Sequence, residues 1–193
     1  MKHIILLILV SCVFLPSSLL AKDYAKDLNK ARIETNFGTI VVQLEPEKAP
    51  VTVANFKRYV REGYYNGTIF HRVIKGFMIQ GGGYTQKMEQ REMHTPIINE
   101  ANNGLKNKKY TIAMARTSYP DSATTQFFIN TVDNPSLDFR DKTSQGWGYA
   151  VFGKVIQGFD VVDSIEQVRT SSKQGHDDVP VKEVLIKSIV LEK

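Results

Sequence analysis

The 193-residue sequence predicts a mainly β protein, a closed barrel whose ends are covered by two helices. Three observations predict it. Short runs of β-branched and aromatic residues, bounded by turn residues, recur from Arg32 to the C-terminus. Only two segments carry helical periodicity, and they lie far apart in the chain. No repeat, linker or low-complexity tract intervenes, so one domain is expected, burying roughly two thirds of the surface its unfolded chain exposes.

Asn36–Gly38 (NFG) separates a strand beginning at Arg32 from TIVVQLE, Thr39 to Glu45, and reads as a hairpin turn. In APVTVANFKRYVREGYY the apolar residues Val53, Phe56, Tyr59 and Val60 recur at helical spacing. Thr52 is its expected N-cap and Gly63 its expected terminator. Asn66-Gly67 marks a tight turn before the strand TIFHRVI, Thr68 to Ile74. Further strands are expected over Thr111 to Arg116, Gln126 to Val132 and the C-terminal EVLIKSIVLE. The second helix is GFDVVDSIEQV, with Phe159, Val162, Ile165 and Val168 on one face.

The opening MKHIILLILVSCVFLPSSLLAKD has a basic start at Lys2, an apolar run from Ile4 to Leu15, then Pro16 and small residues ending at Ala21. That is the form of a secretory leader, residues 1–21, preceding a domain over 22–193. An uncleaved anchor is the competing reading, although the apolar stretch is short for a membrane span. LVSC, Leu9 to Cys12, also resembles a lipoprotein processing box, which would make Cys12 the lipidated first residue. Cleavage after Ala21 removes the single cysteine and suits an oxidising compartment, the periplasm of a Gram-negative cell. No stable membrane insertion is expected of the mature form, and it is expected to be a monomer.

The net charge of +5 arises from basic residues scattered among acids. The one cluster, KNKK at Lys106 to Lys109, reads as a solvated loop, so nucleic-acid binding is not expected. The four histidines lack metal-ligand spacing, and neither a metal nor a cofactor is expected. GGG at Gly81 to Gly83 lacks the Lys-Ser/Thr of a phosphate loop and reads as a backbone bend. A serine hydrolase is excluded for want of a nucleophile elbow.

The most informative stretch is FHRVIKGFMIQGGG, Phe70 to Gly83, which sets a cation and oily side chains together without any nucleophile or acid. Strand alternation puts Met78 and Gln80 on one face, and Gln126 and Phe128 on one face of another strand. Phe127 then points into the core. Phe77 would oppose Met78 in a regular strand, but Gly76 permits a local departure that brings it round. If these strands are neighbours, Phe77, Met78 and Phe128 form an apolar surface flanked by Gln80, Gln126 and Arg72. His71, beside Arg72, is read as facing the opposite side and as structural.

FHRVIKGFMIQGGG, NEANNGLKNKKYTIAMART, SATTQFFINTVDNPSLDF and QGWGYAVFGKV resemble, in that order, the blocks of cyclophilin peptidyl-prolyl cis/trans isomerases, most closely the compact bacterial members. The similarity runs from about Arg32 to Glu192. It implies an eight-stranded antiparallel barrel with two capping helices, proline-containing polypeptide substrates and a role in protein folding. It also implies residue roles: Arg72 donates to the twisted prolyl nitrogen, oriented by Gln80, and Phe77, Met78, Phe128 and Leu137 wall the proline pocket. Gln126 and the backbone near Ala115 and Arg116 hold the peptide, with Tyr149 at the rim. A binding module or chaperone that uses the same groove without catalysis is the alternative.

Two positions depart from the drug-sensitive eukaryotic members of that family. Ser136 stands where they carry tryptophan and Tyr149 where they carry histidine, so weakened inhibition by cyclosporin is expected. Trp147, in the segment from Leu137 to Phe152, is the one residue that could fold back to fill that rim.

Overall fold

The computed structural model describes residues 28–193. The expected leader, Cys12 and the expected cleavage site at Ala21 lie outside the described residues. Eight strands close into an antiparallel barrel: β1 (Lys30–Thr35), β2 (Thr39–Leu44), β3 (Thr68–Ile74), β4 (Met78–Thr85), β5 (Thr111–Met114), β6 (Phe127–Asn130), β7 (Val151–Gln157) and β10 (Leu185–Glu192). Their order around the barrel is β1-β10-β3-β4-β6-β5-β7-β2. A separate hairpin, β8 (Thr170–Lys173) and β9 (His176–Pro180), packs beside β3. Helices α1 (Pro50–Arg61) and α2 (Phe159–Glu166) complete the fold.

Strand alternation accounts for the interior. Ala31 and Ile33 of β1, and Ile40, Val42 and Leu44 of β2, are buried in one core with Phe70, Ile79, Ile112, Phe127 and Phe152. The helices add Phe56, Tyr59, Val162 and Ile165 to the same core. Phe56 meets Tyr65, Phe127 and Phe152 at ring separations of 5.3–5.8 Å. Each such fully buried apolar side chain contributes roughly 1.5 to 3 kcal/mol. Phe127 points inward as alternation requires.

Several local expectations need correction. Helix α1 is not capped by Thr52: Ala49 holds the cap position and Pro50 opens the first turn. The cap instead comes from Glu100, which accepts the Val51 and Thr52 N–H groups at 3.1 and 2.7 Å and the Thr52 hydroxyl at 2.7 Å. Gly63 does end the helix. At φ +66° it donates to Val60 O while Tyr64 donates to Tyr59 O, the paired bonds of a Schellman ending. Phe159 is 40 % exposed and rests against Tyr110 rather than in the core. β5 and β6 stop short of the expected ends at Arg116 and Val132, and the C-terminal strand starts at Leu185. There the Asn36 side chain takes over the pairing by donating to Glu183 O and accepting from Leu185 N–H. Within KNKK, Asn107 is only 2 % exposed, so that segment is not simply solvated.

The largest correction concerns β3. Its pairing with β4 slips between Ile69 and Phe70 and again between Phe70 and Arg72. The first slip accommodates the glycine run: Gly82 has φ +80°, and a Cβ there would lie 2.8 Å from Tyr65 and 2.9 Å from Phe127. The second is a bulge at His71 that resets alternation. Phe70 and Val73 both face the core, and His71 joins Arg72 on the outer side, where both border one hollow.

Candidate active groove

The site lies outside the barrel, where β3, β4, β6 and β5 are consecutive neighbours. Register sets Gln80 opposite Arg72 on one side and Phe128 on the other, and Phe128 opposite Ala113. Met78, Ala113, Phe128 and Val151 form a second buried apolar cluster, with Phe77, Ala115, Leu137 and Tyr149 packed on it. This cluster is the floor of the groove. Phe77 comes round through a turn in which Gly76 has φ +73° and Phe77 N–H donates to Ile74 O.

The rim is fixed by polar groups beneath it. Phe77 O accepts Thr131 N–H at 3.1 Å and Asn134 Nδ2 at 2.9 Å, and Asn134 Nδ2 also donates to Asn130 Oδ1 at 2.7 Å. Asn107 Nδ2 donates to Leu137 O at 3.0 Å and to Tyr149 O at 3.3 Å, tying together the two ends of the intervening segment. Tyr149 N–H in turn donates to Leu137 O. The Tyr149 ring meets Phe128 edge-on at 5.7 Å, and the Arg116 guanidinium lies 4.7 Å over it while Nε donates to Gly148 O.

Along the polar edge, Arg72 Nη1 donates to Gln80 Oε1 at 3.5 Å, and Gln80 Nε2 donates to Gln126 Oε1 at 2.8 Å. The Gln126 side chain lies over Gly83, where a Cβ would approach it to 2.5 Å. His71 is 5 % exposed, and burial followed by the nearby His176 pushes its imidazole down to about 4, so it is neutral at pH 7.

Arg72, Phe77, Met78, Gln80, Ala115, Arg116, Phe128, Leu137 and Tyr149 line a single groove of about 200 Å³. Gln126 is not on that lining; it borders the adjoining polar hollow with Arg72 and Gln80. Trp147 packs on Phe139 at a ring separation of 5.3 Å and does not reach the groove, and Ser136 is exposed. Among the described residues, Trp147 therefore supplies no aromatic replacement to the groove. Sequence reasoning missed Asp178, whose Oδ2 lies 3.7 Å from Arg72 Nε, and the anchoring asparagines Asn107 and Asn134. The β8–β9 hairpin that carries Asp178 has no apolar alternation to reveal it: every residue of β8 is exposed.

This groove belongs to a known architecture. The family model described as cyclophilin type peptidyl-prolyl cis-trans isomerase/CLD matches residues 30–191. The chain belongs to this family of isomerases. It is 56 % identical over 161 residues to peptidyl-prolyl cis-trans isomerase cyp18 of Streptomyces antibioticus, covering 83 % of this chain and 97 % of that protein. It is 57 % identical over 157 residues to peptidyl-prolyl cis-trans isomerase B of Escherichia coli K12, covering 81 % and 96 %. A crystal structure of a Cryptosporidium parvum cyclophilin, determined in the presence of the dipeptide Ala-Pro, superposes with a TM-score of 0.69 at 30 % identity, covering 85 % of this chain and 99 % of that one. The closed eight-stranded antiparallel barrel with two helices is thus a cyclophilin barrel.

Proposed function

We propose that this cyclophilin isomerises X-Pro bonds of polypeptides in the groove over Met78 and Phe128, with Arg72 donating to the prolyl nitrogen as the amide twists. No covalent bond is made or broken in that reaction. Resonance sets a barrier of about 18 to 20 kcal/mol, and a catalyst must bind the twisted amide better than either planar form. Twisting localises a lone pair on nitrogen, so a guanidinium hydrogen bond strengthens as resonance is lost. The apolar floor takes the proline ring and withdraws the amide from water, which favours the less polar twisted state.

The observation that carries this reading is that Arg72 and the apolar floor border one groove. Ala-Pro, the dipeptide present with the Cryptosporidium relative, is the smallest ligand of the kind this groove would hold. One charge-assisted hydrogen bond contributes about 1.5 to 3 kcal/mol. A thousandfold acceleration needs about 4 kcal/mol, so the remainder falls to the proline pocket and to fixing of the flanking backbone by Gln126, Ala115 and Arg116. Because uncatalysed X-Pro isomerisation takes tens to hundreds of seconds and limits folding, assistance of protein folding is the expected role.

The test is proline-isomerisation kinetics on the wild type and Arg72→Ala. The substitution should lower kcat/KM at least about tenfold with the fold intact, as expected from loss of one charge-assisted bond. Near-normal turnover in a folded variant would remove Arg72 from the mechanism. A wild type that binds proline peptides without turning them over would favour the binding-module alternative.

A further inference from the structure

Arg72 borders two spaces, the apolar groove and a polar hollow of about 440 Å³ walled in part by His71, Tyr84, His176, Asp177 and Asp178. A guanidinium carries five N–H donors in a rigid plane, so anchoring two of its nitrogens fixes where the rest point. Gln80 takes Nη1, but at 3.5 Å, the long limit of a hydrogen bond. That contact alone leaves the plane free to swing. The second anchor is ionic, Asp178 Oδ2 at 3.7 Å from Nε.

The placement of Asp178 is built into the fold. Its backbone stands at φ +61°, a left-handed conformation that few non-glycine residues occupy and that aspartate tolerates better than most. The neighbouring Val179, 2 % exposed, holds it there by packing with Ile69 of β3 and Met88. The hairpin is thereby pinned to the strand that carries Arg72. Backbone outliers cluster where a side chain must be aimed, and this one aims a carboxylate at the reactive cation.

The geometry points to Asp178 as a positioning residue that, together with Gln80, fixes the plane of the Arg72 guanidinium and presents its remaining N–H groups to the groove. The inference rests on the role proposed for Arg72 and adds to it the group that holds the donor in place.

The experiment compares Asp178→Asn, Asp178→Gly and Asp178→Glu in the wild type and in Arg72→Ala. The glycine variant removes the carboxylate while favouring the positive φ, so the hairpin still folds. Asn and Gly should lower kcat about two- to fivefold, the scale of a half-exposed ion pair, with KM little changed. Glu should restore at least half of the loss. NMR relaxation of the Arg72 Nε–H should show a more restricted guanidinium in wild type and Glu than in Asn, a signature that a purely structural aspartate would not move. On the Arg72→Ala background the Asn substitution should have no further effect. Unchanged kcat in Asn, equal loss in all three variants, or a loss that persists undiminished without Arg72 would each overturn the inference. Full activity in Arg72→Ala alone would instead overturn the mechanism beneath it.

Discussion

His71 is 5 % exposed, packs edge-on against Tyr84 at 4.7 Å, and among the described residues its Nδ1 has no hydrogen-bond partner. Around it stand Arg72 on its own strand, Tyr84 on β4, and His176 and Asp177 on β9. Burial, then His176, pushes its imidazole down to about 4 from the usual 6.5. Between those values the unfolded chain binds a proton at this ring that the folded chain excludes, so its share of stability is present above pH 6.5 and is lost as pH falls toward 4. The full loss is roughly 3 kcal/mol. Urea unfolding of wild type and His71→Gln at pH 4.5 and 7 checks this. The wild type should lose markedly more stability on acidification, and equal losses would show that the ring is not held neutral. The residue also marks how far the site was legible. Met78 with Gln80, and Gln126 with Phe128, could be paired because a strand has a period of two. His71 could not, because one extra residue in β3 reverses alternation without changing composition, and the carboxylate beside Arg72 comes from a hairpin far along the chain.

Elements show the same division between local and distant causes. The apolar face of α1 and its Gly63 ending were legible because each lies within a few residues of what it determines. The N-terminal cap was not, because Glu100 is 48 residues from the Thr52 it caps. Its carboxylate satisfies two backbone N–H groups and a hydroxyl at the positive end of the helix. Glu100→Gln should therefore lower unfolding free energy by about 0.5 to 2 kcal/mol, the usual range for a lost cap. Glu100 does not line the groove, so kcat/KM should stay near wild type. Denaturant midpoints and peptide kinetics on the same preparation separate the two effects. A variant as stable as wild type would mean that Pro50 and the surrounding packing suffice to start the helix. Asn107 is the groove's counterpart to Glu100: hidden within a lysine-rich segment, it joins Leu137 to Tyr149 through one side-chain amide.

For the whole molecule, closure depends on β10 pairing with both β1 and β3, contacts that span most of the chain and that no local pattern reports. The ordered blocks shared with cyclophilins supplied that topology, where residue periodicity reached only a closed barrel with two helices. Closure also bears on the expected leader, residues 1–21. The described contacts begin at Asn29, whose carbonyl accepts Leu44 N–H at 2.7 Å and whose side chain accepts Lys57 Nζ at 2.9 Å, just ahead of β1 at Lys30. Removing residues 1–21 therefore takes away none of these contacts. We expect the chain starting at Lys22 to keep the fold and the kcat/KM of the full chain, because every strand, helix and groove residue named above lies in the part retained. It would also lack the single cysteine, so a thiol reductant should leave both unchanged. We propose that residues 1–21 are an export leader, so that in its native host the protein should have the intact mass of a chain beginning near Lys22. A retained Met1 would place an uncleaved anchor there instead, and a diacylated Cys12 a lipoprotein.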